Sequence, residues 1–529
     1  MTGAADLVVT NAEVHTLGDP DETFEAFAVR GGEVVRLGSA YDLGFLVGTE
    51  TDVLDAGGRV VLPGFVDAHT HLLSVGRSLV HADLSEADGP DEAVDLLRER
   101  AGELEEVGDD GDGSHGDQAG WILGFGYDES TWDDSRYLTA DALAAVSETT
   151  PVAAFREDMH VASVNRVVLD RFRDAMPDGD VLTEEGNATD GGEPTGVLVE
   201  EAIDPVYDAI EPDAAEACEL AVAAQQRANR LGVTMVHDMV RKSKAPQVYR
   251  ELDLADELTL RVRLNYWSDH LDELVDAGLR TNHGSDMVQV GAIKSFTDGS
   301  LGGRTAKLSE PYADVPDETG QWVVPPEDVR DLVERADDAG FQVTLHAIGD
   351  AAVDVALDAY AETDDPAGMR HRVEHCELAS DEAIRRFAEL GVVASVQPNF
   401  HKWGYEGGLY DSRLDDRRTE ANRFPAFLNA GAHLAFGSDC MPLDPLLGVH
   451  CAVNAPSEGQ SLGVTDALRA YTSGAAYAGF DEDRLGTLEP GKLADFVALD
   501  ASPWERPDAI GDIDVAFAAV GGELVYDGR

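Results

Sequence analysis

Apolar and polar residues alternate along 6–17 (DLVVTNAEVHTL) and 26–38 (AFAVRGGEVVRLG). That is the two-residue period of half-buried strands, and Gly31-Gly32 inside the second stretch predicts a hairpin turn. The C-terminus repeats the pattern, with ADFVALD at 494–500, DVAFAAV at 514–520, then Gly521-Gly522 and ELVYDG. Two β-rich ends around a long middle predict one small β-sandwich built from both termini. The middle is a succession of short apolar runs at 64–68, 233–237, 261–266, 288–296, 341–346, 371–375, 392–397 and 433–438. Helical periodicity at 213–231, 326–339, 350–362, 380–390 and 464–478 falls between or after them. Eight strands alternating with helices predict an α/β protein with a (β/α)8 TIM barrel. The gap after the first strand makes 80–204 an insertion. It holds an acidic, glycine-rich loop at 108–118 and apolar stretches at 120–126 and 151–155. The expected organisation is a sandwich of 1–60 with 485–529, a barrel of 61–79 with 205–484, and an insertion subdomain at 80–204 that contributes to the active-site cover.

Composition adds constraints to this outline. Apolar residues make up 43 % of the 529, which excludes a disordered chain. Acidic residues number 103 against 39 basic ones, a formal net charge of −64. A nucleic-acid or anionic-membrane binder needs the opposite sign. Six lysines stand against 33 arginines, and the acids are spread over the whole chain. Such a surface repels itself in dilute buffer, whereas at about 1 M salt the screening length falls to about 3 Å. The pattern resembles proteins of salt-accumulating halophiles. Four scattered cysteines give neither a disulfide framework nor a CxxC zinc site. The start, MTGAADLVVT, carries no signal-peptide pattern, and no apolar run approaches the roughly 18 residues of a membrane span. A soluble cytoplasmic protein is expected, with a small-molecule substrate, no nucleic-acid or membrane partner, and a homodimer left open.

The candidate chemistry gathers at strand ends. In DAHTH at 67–71, His69 and His71 sit two residues apart at the end of an apolar strand and so face the same way. His346 closes its strand in TLHAIGD, His375 in RVEHC, and Asp439 follows the last in FGSDC. Each lies at the C-terminal edge of a predicted barrel strand, where barrel active sites lie. Four imidazoles and a carboxylate suit a divalent metal, with Zn²⁺ first and one or two ions allowed. Lys294, in the apolar run VGAIKSFTDG, carries a large desolvation penalty as a bare ammonium. Carboxylation by CO₂ to a carbamate that bridges two metals is one remedy. An ion pair with Asp298, or a position at the rim, is the other.

The ordered series of motifs resembles the amidohydrolase superfamily, in its amidohydrolase family 3 (YtcJ-like) branch, which includes N-substituted formamide deformylases. The resemblance runs from LPGFVDAHTH (62–71) through GFGYDESTW (124–132), REDMH (156–160), PTGVLVE (194–200), GVTMVHD (232–238) and KSFTDGSLGGRTA (294–306) to LGTLEPGKLADFVALD (485–500). Tyr127 stands where tryptophan is common in the branch. The resemblance implies a metal-dependent hydrolase of a C–N bond in an amide-like small molecule. Its metal ligands would be His69, His71, Lys294 as N6-carboxylysine, His346, His375 and Asp439. Asp439 would also move the proton from the attacking water to the leaving nitrogen. His237 and His160 are further catalytic candidates. Tyr127, Asp128, Trp132, Arg304 and Asp298 are candidate substrate contacts. The competing readings are the same site acting on an ester or another carbonyl or in a non-hydrolytic reaction, and a non-catalytic regulatory protein on the same fold.

Overall fold

All eight apolar runs of the middle fold as strands of one parallel sheet, in the order expected. In the computed structural model, which describes residues 3–85, 87–108, 120–157, 159–184, 186–188 and 192–529, they are β1 (Phe65–Thr70), β2 (Val233–Val240), β3 (Arg261–Trp267), β4 (Val288–Phe296), β5 (Val343–Ala347), β6 (Arg372–His375), β7 (Val393–Val396) and β8 (His433–Phe436). Nearly every residue in them is buried, as a sheet covered on both faces demands. The register brings strand ends level at one edge: Phe296 pairs with His346, and Ala347 with His375.

The ladder runs from β1 to β8, and side chains stitch its two ends together. One oxygen of the buried Asp67, on β1, accepts the backbone N–H of both His69 and Ser438 at 3.0 Å. The Asp439 N–H donates to the His69 carbonyl at 2.7 Å. The close approach requires Gly437: a methyl group there would lie 2.4 Å from the His69 nitrogen. The helices at Ala214–Arg230, Pro326–Asp338, Asp350–Ala361 and Asp381–Leu390 follow the sequence reading. The stretch 464–478 does not form one helix. It breaks at Tyr471-Thr472 into Val464–Ala470 and Ser473–Ala478. Thr472 turns its hydroxyl back onto the Leu468 carbonyl, the local competition that makes Thr a weak helix former. The tight seat of Gly474 against the Leu434 carbonyl fixes the new direction.

The terminal segments form two sheets face to face. One joins Glu33–Gly38, Ala26–Arg30, Leu7–Thr10 and Asp52–Asp55. The other joins Glu523–Asp527, Val515–Val520, Phe496–Leu499, Val60–Pro63, Glu13–His15 and Thr23–Phe24. Val9, Phe27 and Val29 from the first meet Val61, Phe496 and Phe517 from the second in one core. Arg261 at the start of β3 ties the sandwich to the barrel through a buried bidentate pair with Asp495, at 2.7 and 3.0 Å. Gly31 and Gly32 form the expected hairpin turn with φ of 60° and 79°.

A second unit comprises 73–224 with 243–248. Its sheet runs Gly186–Asn187, Val181–Thr183, Pro194–Val199, Val161–Val164, Val152–Arg156, Ile122–Tyr127, Ala82–Asp83. Leu97, Ile122, Trp132 and Val152 fill one of its cores, and Phe125, Phe155, Ala162 and Leu198 the other. The apolar stretches at 120–126 and 151–155 are adjacent strands here. The glycine-rich loop read at 108–118 lies, beyond Gly108, outside the described residues. Among the described residues no helix is long and apolar enough to cross a membrane.

Candidate metal centre

β1 delivers His69 and His71 to the C-terminal edge of the barrel, β5 delivers His346, and β6 delivers His375. Asp439 arrives three residues beyond β8. Two of these strand ends are turned by paired left-handed residues. His375 and Cys376 have φ of 72° and 48°, and Asp439 and Cys440 have 53° and 56°. Such backbone is costly for residues with a Cβ and concentrates at functional sites. The result is a cluster in which one ligand atom each from His69, His375 and Asp439 lies within 4.8 Å of the others. His71 Nε2 stands 3.6 Å from the same Asp439 oxygen that lies 3.5 Å from His69 Nε2. The His346 ring centroid is 4.4 Å from that of His375.

Each imidazole has one nitrogen committed to an acceptor away from this centre. His69 Nδ1 lies 2.6 Å from Glu374, His71 Nδ1 3.1 Å from the Met239 carbonyl, and His375 Nδ1 2.7 Å from Gln397 Oε1. Those contacts leave Nε2 of all three as lone-pair donors. His346 is turned the other way: its Nε2 donates to the Gly299 carbonyl at 3.0 Å. Burial pushes His71 down to about 4, and burial with the neighbouring His346 and His69 holds His375 well below the usual range. Neutral imidazoles with oriented lone pairs are what a divalent ion requires. The donor set, three or four nitrogens and a carboxylate, fits zinc-like borderline metals. Lys294 is buried on β4, where burial lowers its pKa to about 8, and no carboxylate among the described residues lies within ion-pair distance of it. The Asp298 pairing is therefore not made.

The amidohydrolase family model matches residues 52–526. The chain belongs to this family. It is 25 % identical to N-substituted formamide deformylase of Arthrobacter pascens over 100 % of this chain and 99 % of that protein. It is 30 % identical to protein LONG AFTER FAR-RED 3 of Arabidopsis thaliana over 99 % and 92 %. A solved structure of an uncharacterized metal-dependent hydrolase from Pyrococcus furiosus superposes with a TM-score of 0.76 at 29 % identity, covering 94 % of this chain and 99 % of that one.

For this amidohydrolase several expected contacts fall elsewhere. His237 is fully buried within the barrel. Its Nδ1 accepts from Arg372 Nη1 at 2.8 Å, and Gly479 packs against its Nε2. Burial and the cationic neighbours Arg372 and Arg263 keep it neutral, so it is a core residue rather than a base at the mouth. His160, in the second unit, is half exposed and bonded to Glu200 at 3.1 Å. Tyr127 and Trp132 do not line an open pocket. They stack in the core of that unit, with Tyr127 Oη on Ser163 and Trp132 Nε1 donating to the Ala87 carbonyl. Asp128 accepts from Arg156 at 2.8 Å. Arg304 is paired with Asp314, at 2.6 Å. Asp298 is buried and accepts the backbone N–H of Lys307, Ile348 and Gly349, so it shapes the loops under His346 instead of facing a substrate.

Three site residues escaped the sequence reading: Glu374, Arg372 and Gln397. For the first two a signal was present. Arg372 and Glu374 alternate on a fully buried strand, and two opposite charges on one buried face ask for a purpose. Gln397 carries no such mark.

Proposed function

We propose that this amidohydrolase cleaves the C–N bond of an amide-like small molecule, with a divalent metal, zinc first, held by His69, His71, His346, His375 and Asp439. The observation that carries the reading is the convergence of the His69, His375 and Asp439 ligand atoms within 4.8 Å at the ends of three distant strands. A divalent ion there lowers the pKa of water toward about 7 and polarises a carbonyl oxygen. The chain's own part is proton transfer. Oδ1 of Asp439 faces the two imidazole nitrogens, which leaves Oδ2 to take the proton of the attacking water and hand it to the leaving nitrogen. The carboxylate is partly exposed, as a group that must meet substrate requires. His375 shares this cluster, and the ring of His346 packs against it at 4.4 Å between centroids.

Burial of Lys294, with no carboxylate among the described residues within ion-pair distance, supports carboxylation to a carbamate as a further ligand. Metal occupancy that rises with added bicarbonate is then expected. The charge of −64 supports a protein that works in molar salt inside the cell. The test is metal analysis of the purified protein, then turnover in molar KCl against N-formyl, N-acyl and cyclic amides with matched esters. Stoichiometric metal and amide cleavage are expected. Protein that binds no divalent metal, or cleaves only the esters, overturns the reading.

A further inference from the structure

Arg372 and Glu374 project into the barrel from alternate positions of β6, and both are fully buried. Arg372 distributes its N–H groups over the surrounding strands. Nε donates to Glu374 Oε1 at 2.9 Å and Nη1 to His237 Nδ1 at 2.8 Å. Nη2 donates to the Ala68 carbonyl at 2.6 Å and to Ser395 Oγ at 2.9 Å. Thr344 Oγ1 bonds the same Glu374 oxygen. The second oxygen, Oε2, faces His69 Nδ1 at 2.6 Å. Arginine has donors only, so the end of residue 374 that meets it must be an acceptor. An ionised carboxylate is an acceptor at its other end too, and His69 must then carry its proton on Nδ1. That leaves the Nε2 lone pair directed at the centre, 3.5 Å from Asp439 Oδ1.

We propose that Arg372 and Glu374 are positioning residues that fix the tautomer of His69: Arg372 sets which atoms residue 374 presents, and residue 374 sets which nitrogen of His69 is free to bind metal. The affinity consequence rests on His69 being a metal ligand, whereas the tautomer does not. His237, bonded to Nη1, belongs to this support and not to the chemistry.

The reasoning separates two nearly isosteric side chains. In Glu374→Gln, Arg372 Nε holds the amide oxygen on its own side, so the NH₂ group faces His69. His69 must then accept at Nδ1 and protonate Nε2, the nitrogen intended for the ion. Glu374→Asp keeps an acceptor at both ends and keeps the tautomer.

The experiment is a long-range proton–nitrogen NMR spectrum of full-length, chelator-treated protein with ¹⁵N-labelled histidine. It is run in molar KCl and alkaline buffer, where imidazole is neutral. The His69 resonance is assigned by its loss in His69→Gln. Zinc affinity by chelator competition is the second readout. Expected are Nδ1–H in wild type and Glu374→Asp and Nε2–H in Glu374→Gln. Zinc affinity of Glu374→Gln should be lower by at least about 10–100-fold, the range for removing such an outer partner of a ligand histidine. Nε2–H in the wild type overturns the proposal, as does a Glu374→Gln protein with the wild-type tautomer, since Arg372 would then not be orienting the amide. Should Glu374→Gln fail to fold because the Arg372 charge is left unpaired, the wild-type and Glu374→Asp spectra still decide. The expected tautomers in a wild type that binds no zinc would uphold the positioning pair and remove the metal reading.

Discussion

Gly437→Ala tests how tightly the site depends on the barrel seam. The added methyl group would sit 2.4 Å from the nitrogen, 2.7 Å from Cβ and 2.9 Å from Cα of His69. All but one of these atoms are backbone, so no flexible tip can move aside. Restoring ordinary contact, near 3.4 Å, requires β1 and β8 to part by about 1 Å. The bonds from Ser438 N–H to Asp67, at 3.0 Å, and from Asp439 N–H to the His69 carbonyl, at 2.7 Å, stretch with them. Overpacking of this kind costs about 1–3 kcal/mol. With about 2.1 cal/mol/K of unfolding entropy per residue, the melting midpoint of a chain this long falls by only about 1–3 °C. The effect on chemistry should be larger, because a displacement of about 1 Å can cost about 10²-fold in rate. Thermal unfolding, metal content and turnover are to be measured together in molar KCl, with Gly459→Ala as control, where the new methyl would meet nothing nearer than Ser457 Oγ at 4.0 Å. If Gly437→Ala keeps wild-type metal content and more than about half the wild-type rate, the seam does not set the site and the steric reasoning is wrong, since a loss of about 10²-fold was due.

Asp439→Asn should keep most of its metal and lose about 10²–10⁴-fold in turnover; full metal with more than about a tenth of the wild-type rate would make Asp439 a ligand only. His401 is buried, neither of its ring nitrogens has a partner among the described residues, and burial pushes it down to about 3. Its folded pKa lies below its unfolded value near 6.5, so its contribution is complete above about pH 6.5 and is lost as pH falls toward 3, at about 1.4 kcal/mol per pH unit. In His401→Leu the denaturant midpoint measured across that window should fall less steeply; an unchanged slope would contradict the assignment. Salt is the last lever. Given the charge of −64, the unfolding midpoint should rise steeply between 0.1 and 3 M KCl, and equal midpoints would refute the reading of the acidic surface.

The barrel was legible because strands buried on both faces are rich in apolar residues, as β4 (VQVGAIKSF), β7 (VASV) and β8 (HLAF) are, although β3 and β6 carry charged residues among them. The ligands were legible because a histidine at or next to the end of a buried strand, as His346 and His375 are, stands out. What lay beyond one strand did not show. Nothing in the chain says that Gln397 would reach His375, or that Glu374 would meet a histidine 305 positions earlier. Aromatic residues misled in the opposite direction. Tyr127 and Trp132 look like pocket lining, yet their rings are spent on a core and their polar atoms are bonded within it. The helix break at Tyr471-Thr472 was missed because the apolar period continues through it while the backbone turns.

The pairing of Val60–Pro63 with Phe496–Leu499 has a bearing on biosynthesis. On a ribosome the earlier strand emerges about 430 residues before its neighbour, an interval of roughly 20–90 s at about 5–20 residues per second. Throughout that time one edge of Val60–Pro63 lacks its partner, and Phe27 and Val61 lack the rings of Phe496 and Phe517. The nascent chain therefore carries an open β edge beside a half-built apolar face for nearly the whole of its synthesis. Strands of that kind invite pairing with other chains. A truncated product ending before residue 496 should be a client of chaperones or an aggregate, however complete its barrel.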